Sequence, residues 1–101
     1  MGDISWKIGD FVFVCNAEKR QDGLKKHGLD FIDASTAFLD PYAISFYDTK
    51  HSDDEDRHIL IGRALNTVLV FVVHTERDGV FRIISARKAV KNEVKIYARQ
   101  R

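Results

Sequence analysis

His74 and Arg82 stand in two β-rich segments joined by the short connection Arg77-Asp78-Gly79. Paired across a hairpin with a three-residue loop, they fall in one row with His58. An imidazole that titrates near neutrality, beside a guanidinium that forks onto an oxyanion, suits phosphate-ester chemistry. A second group, Arg63, Ser85 and Arg87, gathers at the opposite end of the same segments and leads into a basic C-terminal stretch. RNA can be cut without a metal ion when a 2′-hydroxyl attacks the adjoining phosphate. The reaction needs a base, an acid for the leaving oxygen, and cations against the pentavalent phosphate. The competing reading is structural, with a hydrogen-bonded strand-end histidine and arginines that cap strands or hold a carboxylate such as Glu55. One arginine fits that reading well, whereas three together favour phosphate.

Other clusters carry less. Lys25-Lys26-His27-Gly28 reads as an ordinary helix end, because cations complement the helix dipole and Gly suits the left-handed cap. His27, three residues after Leu24, is expected on the packed side as a buried structural histidine. The run His51-Ser52-Asp53-Asp54-Glu55-Asp56-Arg57-His58 holds two His and four carboxylates, but lacks the alternating ligands and Gly of a calcium loop. It is expected as a solvated acidic loop, with no metal and no cofactor. Trp6 and Tyr97 could stack on bases, yet packing is their default. No Gly-rich phosphate loop, nucleophile elbow or dinucleotide fingerprint occurs.

The elements that must position these groups fit one domain. The chain has 101 residues, 45% of them hydrophobic and 31% charged, which is a folded rather than a disordered balance. The longest apolar run, Val68 to Val73, is too short to span a membrane, and no signal-like segment opens the chain. A lone Cys15 leaves no internal disulfide and fits a reducing, cytoplasmic compartment. Net charge is +1 but uneven. Residues 1 to 78 hold nine Lys/Arg against fourteen Asp/Glu, whereas residues 79 to 101 hold seven against Glu93 alone. Something anionic is expected at the basic end.

Residues 1–10 read as an N-terminal extension whose Ile4, Trp6 and Ile8 alternate like an edge strand, and residues 11–101 as the domain proper. Phe11 to Cys15 predicts a strand. Asn16 can cap a helix over 17 to 27 closed by Gly28, and Asp30 a second helix that Asp40-Pro41 ends. Tyr42 to Tyr47 predicts a strand, followed after the polar loop by 57–64, 68–76 and 80–87 as an antiparallel meander. Residues 88 to 101 predict a helix with Val90, Val94 and Tyr97 on an apolar stripe and Lys88, Lys91, Lys95 and Arg99 on a basic one. The expectation is an α+β fold, with two N-terminal helices on an antiparallel sheet and the last helix or a partner covering the other face.

Several segments in order resemble the BrnT toxin family: Lys26-His27-Gly28 with Phe31 and Ala34, Phe38-Leu39-Asp40-Pro41, and His51-Ser52-Asp53 with Glu55 and Arg57. Ile61-Gly62, Val73 to Arg77, and Arg82 to Ala89 with Glu93 and Tyr97 follow. The resemblance runs from about Phe11 to Tyr97. It implies a RelE-like fold and a bacterial type II toxin that degrades RNA and slows translation. It also implies a BrnA-like antitoxin with a ribbon-helix-helix DNA-binding end, joined in a heterotetramer that touches DNA only through the antitoxin. Position by position it favours Arg57, Ser85 and Arg87, supported by Glu55, His27 and Lys26; Arg82 and His74 come from the hairpin geometry. The sequence departs from the pattern in Val14-Cys15-Asn16, in Gly23 where an Asn is common, and in His58 where an aromatic is preferred. Gly23 should weaken its helix by about 1 kcal/mol relative to Ala.

Two functions compete. A metal-independent endoribonuclease would use Arg57, His74, Arg82, Ser85 and Arg87 on the scissile phosphate. Lys26, His27, Arg63, Lys88, Lys91 and Lys95 would then bind RNA or antitoxin. A catalytically silent module that only complexes its antitoxin would need just an exposed apolar patch rimmed by charge.

Overall fold

A computed structural model describes residues 2–99. Strands β1 (Asp3–Ile8) and β2 (Phe11–Asn16) form a hairpin that leads into helices α1 (Ala17–His27) and α2 (Phe31–Ser35). A 3-10 turn over Thr36–Leu39 follows, then β3 (Ile44–Tyr47), β4 (His58–Ala64), β5 (Val68–Arg77), β6 (Val80–Lys88) and α3 (Lys91–Ala98). The strands make one six-stranded sheet in the order β1-β2-β6-β5-β4-β3. Strands β3 to β6 pair antiparallel with one another in chain order, as the sequence predicts. The sheet as a whole is mixed, because β6 closes against β2 in parallel through Val12↔Val80, Phe13↔Phe81 and Val14↔Arg82. The stretch read as an extension supplies β1, whose six residues pair with β2 from Asp3↔Asn16 to Ile8↔Phe11.

Local chemistry explains most boundaries. The Asn16 side chain accepts the Lys19 N–H, and Gly28 sits at φ +67° while its own N–H reaches Leu24 O. Asp30 caps α2 by accepting the Ile32 N–H. The second helix keeps α-geometry only to Ser35, and the 3-10 turn completes the stretch to Leu39. Asp40 then accepts the Tyr42 N–H in an Asx turn, so β3 starts at Ile44 rather than Tyr42. At the other end Lys88 still pairs with Val70 in the sheet and Ala89 N donates to Leu69 O, which delays α3 to Lys91. Positions 100 and 101 of the expected helix lie outside the described residues.

One sheet face carries the main core, with Phe13, Cys15, Val70, Val72, Ile83 and Ala86 against Phe31, Ala34 and Ala37 of the α2 region. Trp6 stacks on Phe13 with ring centroids 5.6 Å apart and donates from Nε1 to Ser35 Oγ at 2.9 Å, tying β1 to α2. Helix α1 buries none of its residues. Leu24 and His27 are exposed, so the expected buried histidine is corrected. Gly23 has a packing reason: a Cβ there would come within 2.9 Å of Phe31 Cε1.

The opposite face holds a smaller core of Ile59, Ile61 and Tyr97, with Ile44, Leu69, Phe71, Val73 and Ile96 partly buried beside it. Tyr97 donates its hydroxyl to Asp40 Oδ2 at 2.7 Å, and Asp40 also accepts the Arg63 N–H, pinning α3 over β4. The expected apolar stripe is corrected in part. Tyr97 is buried, whereas Val90 and Val94 remain exposed. On this face an open hollow runs from Phe46 of β3 across Ile59, Phe71 and Val73 to Arg87 of β6, and the candidate site lies there.

Candidate active site

Register decides which side chains meet. In β4 and β5 it is as the sequence predicts, from His58↔His74 to Ala64↔Val68. Between β5 and β6 the loop is two residues rather than three, because Asp78 (φ 54°) and Gly79 (φ +79°) both take left-handed backbone and Arg77 pairs directly with Val80. This one-residue change places Arg82 opposite Thr75 and Ile83 opposite His74. The expected row of His74 with Arg82 does not form; the two residues project from opposite faces. A bulge between Val73 and His74 adds a second residue of shift, so that Val73↔Ser85 and Phe71↔Arg87 become partners.

His74 is buried in the main core. Its ring lies 5.0 Å from that of Phe38, 5.7 Å from Phe81 and 6.0 Å from His58. Burial, reinforced by His58, pushes its pKa down to about 4, so the ring is neutral at pH 7. Its Nδ1 has no hydrogen-bond partner among the described residues.

On the face that α3 covers in part, two rows run across the sheet: Phe46, Ile59, Val73 and Ser85, then Ile44, Ile61, Phe71 and Arg87. A hollow of about 480 Å³ opens above them, floored by Ile59, Phe71 and Val73 and rimmed by Phe46, Lys50, His51 and Arg87. Arg87 is held rigidly. Its two terminal nitrogens donate to the two oxygens of Glu93, each at 2.8 Å, and the guanidinium carbon lies 4.1 Å from the Phe71 ring centroid. The Glu93 bond raises the pKa of Arg87. Burial alone would raise the Glu93 carboxyl, but Arg87 and the Val90 N–H together hold it below its ordinary range.

Across the hollow, His51 Nδ1 lies 3.1 Å from Asp48 Oδ2 and 3.3 Å from Oδ1. Asp48 is buried and fixed by accepting the Lys50 N–H, while its own backbone N donates to Arg57 O. With Nδ1 turned to a carboxylate, the imidazole presents Nε2 outward as a proton acceptor. Sequence alone predicts a solvated polar loop for Asp48, Lys50 and His51, and the structure instead lines the hollow with them. The signal was Asp48-x-x-His51 at a strand end, where a turn sets the carboxylate beside the ring.

The remaining candidates are dispersed. Arg82 donates to Asp3 at 2.6 and 3.3 Å and lines a separate hollow of about 410 Å³ with Thr75, Arg77 and Glu55. The pair lowers the Asp3 carboxyl and raises Arg82. Arg57, one residue before β4, lies 3.4 Å from Glu55 through its Nε. Arg63 covers the Tyr97 ring at 5.8 Å. Lys26, His27, Lys88, Lys91 and Lys95 are exposed and line neither hollow. Among the described residues no group of three or more His, Cys, Asp and Glu is arranged to hold a metal ion, and no helix is long and apolar enough to cross a membrane.

Residues 16–93 match the family described as the ribonuclease toxin BrnT of type II toxin-antitoxin systems. The chain belongs to the BrnT family. A crystal structure of the Brucella abortus ribonuclease toxin, BrnT, superposes with a TM-score of 0.59 at 28% identity, covering 76% of this chain and 94% of that one. No curated protein sequence matches the chain. The BrnT match begins at the end of β2, so β1, with Asp3, precedes it. The hollow between His51 and Arg87, by contrast, is built wholly from residues inside the BrnT match.

Proposed function

We propose that this BrnT-family chain is a toxin that cleaves RNA without a metal ion in the hollow between His51 and Arg87. The observation that carries the reading is a carboxylate-bonded imidazole and a carboxylate-fixed guanidinium lining one apolar-floored hollow. His51 Nε2 takes the proton of the 2′-hydroxyl as the oxygen attacks phosphorus. The P–O2′ bond forms, the P–O5′ bond breaks, and the imidazolium returns the proton to the departing 5′-oxygen, leaving a 2′,3′-cyclic phosphate. Arg87 offsets charge on the pentavalent phosphate, with Ser85 one row away as a hydroxyl donor. Arg57, Arg82 and the exposed lysines of α3 serve the flanking RNA backbone. His74, neutral and buried, supports the fold. In this reading the cytoplasmic toxin adopts a RelE-like arrangement, slows translation and is neutralised by a BrnA-like ribbon-helix-helix antitoxin in a heterotetramer.

A specific observation favours a second reading, the silent antitoxin-binding module. Arg82 and Arg87 already hold the carboxylates of Asp3 and Glu93, which a phosphate would have to share or displace. One assay separates the two. Antitoxin-free protein in EDTA should cut single-stranded RNA to cyclic-phosphate ends, and His51→Ala or Arg87→Ala should each slow cleavage by roughly 100-fold, the scale of losing a general base or a charge-stabilising donor. Intact RNA with wild-type protein selects the silent module.

A further inference from the structure

Phosphoryl chemistry requires a base and cations but no apolar surface, yet the hollow beside His51 and Arg87 is floored by Ile59, Phe71 and Val73. Phe46, on the row of Ile59 and Val73, is 40% exposed at its rim. The Arg87 guanidinium lies 4.1 Å from the Phe71 ring centroid, its plane fixed by the Glu93 fork, so that a flat cationic surface adjoins the apolar floor. Lys50 and His51 add positive or proton-accepting groups along the rim, and among the described residues the only carboxylate lining the hollow, Asp48, is buried and occupied by His51. Flat apolar floor, planar cation and basic rim together match a ligand with an aromatic face and an attached phosphate.

We infer that this hollow is a nucleobase subsite, in which an unpaired base of RNA stacks against Phe46 and the Arg87–Phe71 pair while its phosphate meets the basic rim. The inference rests on the nuclease reading for its place in a reaction, and adds that the substrate is single-stranded at the cut. A base held in a duplex must first be unpaired and unstacked to fill the hollow, so a preference for unpaired RNA is built into the floor rather than into the cations.

Binding of adenosine 5′-monophosphate and ribose 5-phosphate to the full chain, followed by NMR titration, tests the subsite directly, since the two share the phosphate and differ by the base. Stacking on a protein aromatic contributes enough for the nucleotide to bind roughly 10-fold more tightly, with shifts at Phe46 and Phe71. Phe46→Ala should cut that preference to under about 3-fold, and Phe46→Tyr should retain it. Equal binding of the two ligands by wild-type protein overturns the inference and leaves the floor to a protein partner. Cleavage assays on a single-stranded oligonucleotide, with and without an abasic position at the cut site, keep the two readings apart. A protein that prefers the nucleotide but cuts nothing retains the base subsite and loses the nuclease. One that cuts both oligonucleotides equally and shows no base preference retains the nuclease and loses the subsite.

Discussion

Replacing His74 by Leu should remove an acid-sensitive component of stability without removing RNA cleavage. The folded protein holds His74 at about 4 against an ordinary 6.5, through burial first and the neighbouring His58 second. Because the folded value is the lower one, the fold favours the neutral ring. The contribution is fully present above pH 6.5 and is lost as pH falls toward 4. At 1.36 kcal/mol per pKa unit the whole effect is roughly 3 kcal/mol, of which about 2 kcal/mol disappears between pH 7 and pH 5. The carboxyls of Asp30, Asp40 and Glu93 are held below their ordinary values of 3.8, 3.8 and 4.5, so their own losses begin near those values and fall mostly below the pH 7 to pH 5 interval. Urea unfolding at the two pH values reads the difference. For a slope near 1–2 kcal/mol/M the wild-type midpoint should fall by about 1–2 M, and that of His74→Leu by far less. Leu also replaces a ring whose Nδ1 finds no partner among the described residues, so the variant should be no less stable at pH 7. Parallel losses in both proteins would refute the assignment. Abolished cleavage in a folded His74→Leu would refute the placement of catalysis on the other face.

Three further perturbations probe separate links. Gly23→Ala should fail to stabilise α1, because the helix gain of about 1 kcal/mol meets a Cβ 2.9 Å from Phe31 Cε1 and an overpacking cost of about 1–3 kcal/mol; urea midpoints decide. Tyr97→Phe removes the hydroxyl donated to Asp40 and should cost about 1–2 kcal/mol in the same assay, loosening α3 over β4. Asp3→Asn frees Arg82 from its carboxylate, and on the nuclease reading RNA should bind more tightly at low salt. The log–log salt slope should steepen by about 0.7, the increment for one additional phosphate contact on a single strand.

Where capping chemistry is local, the sequence was a sufficient guide. Asn16, Gly28 and Asp30 act within four residues of their own positions, and the α1 boundaries follow residue for residue. Long-range choices were less legible. Nothing near Phe11–Asn16 announces that β2 will receive β6 in parallel, since that pairing joins residues nearly seventy positions apart in the chain. The amphipathic reading of α3 placed Val90 and Val94 inward, but helix rotation is set by Tyr97 reaching Asp40 and by Glu93 reaching Arg87, contacts to other elements.

The candidate site shows the same division in finer grain. The sequence predicts a three-residue loop where Asp78-Gly79 makes a two-residue turn, and this one-residue difference puts Arg82 and Ile83 on the faces opposite to those expected. Ser85 and Arg87 escaped it, because the bulge after Val73 adds a second residue of shift and a two-residue displacement restores side-chain parity. Their face was therefore legible although their partners were not. Residues on the far side of a bulge can keep the correct face while every cross-strand neighbour changes, so a predicted face is the stronger basis for assigning a site than a predicted pair. His51 lay outside any such reasoning. Its role depends on one turn that sets Asp48 against it, and four nearby carboxylates in the sequence made that turn look like solvated loop.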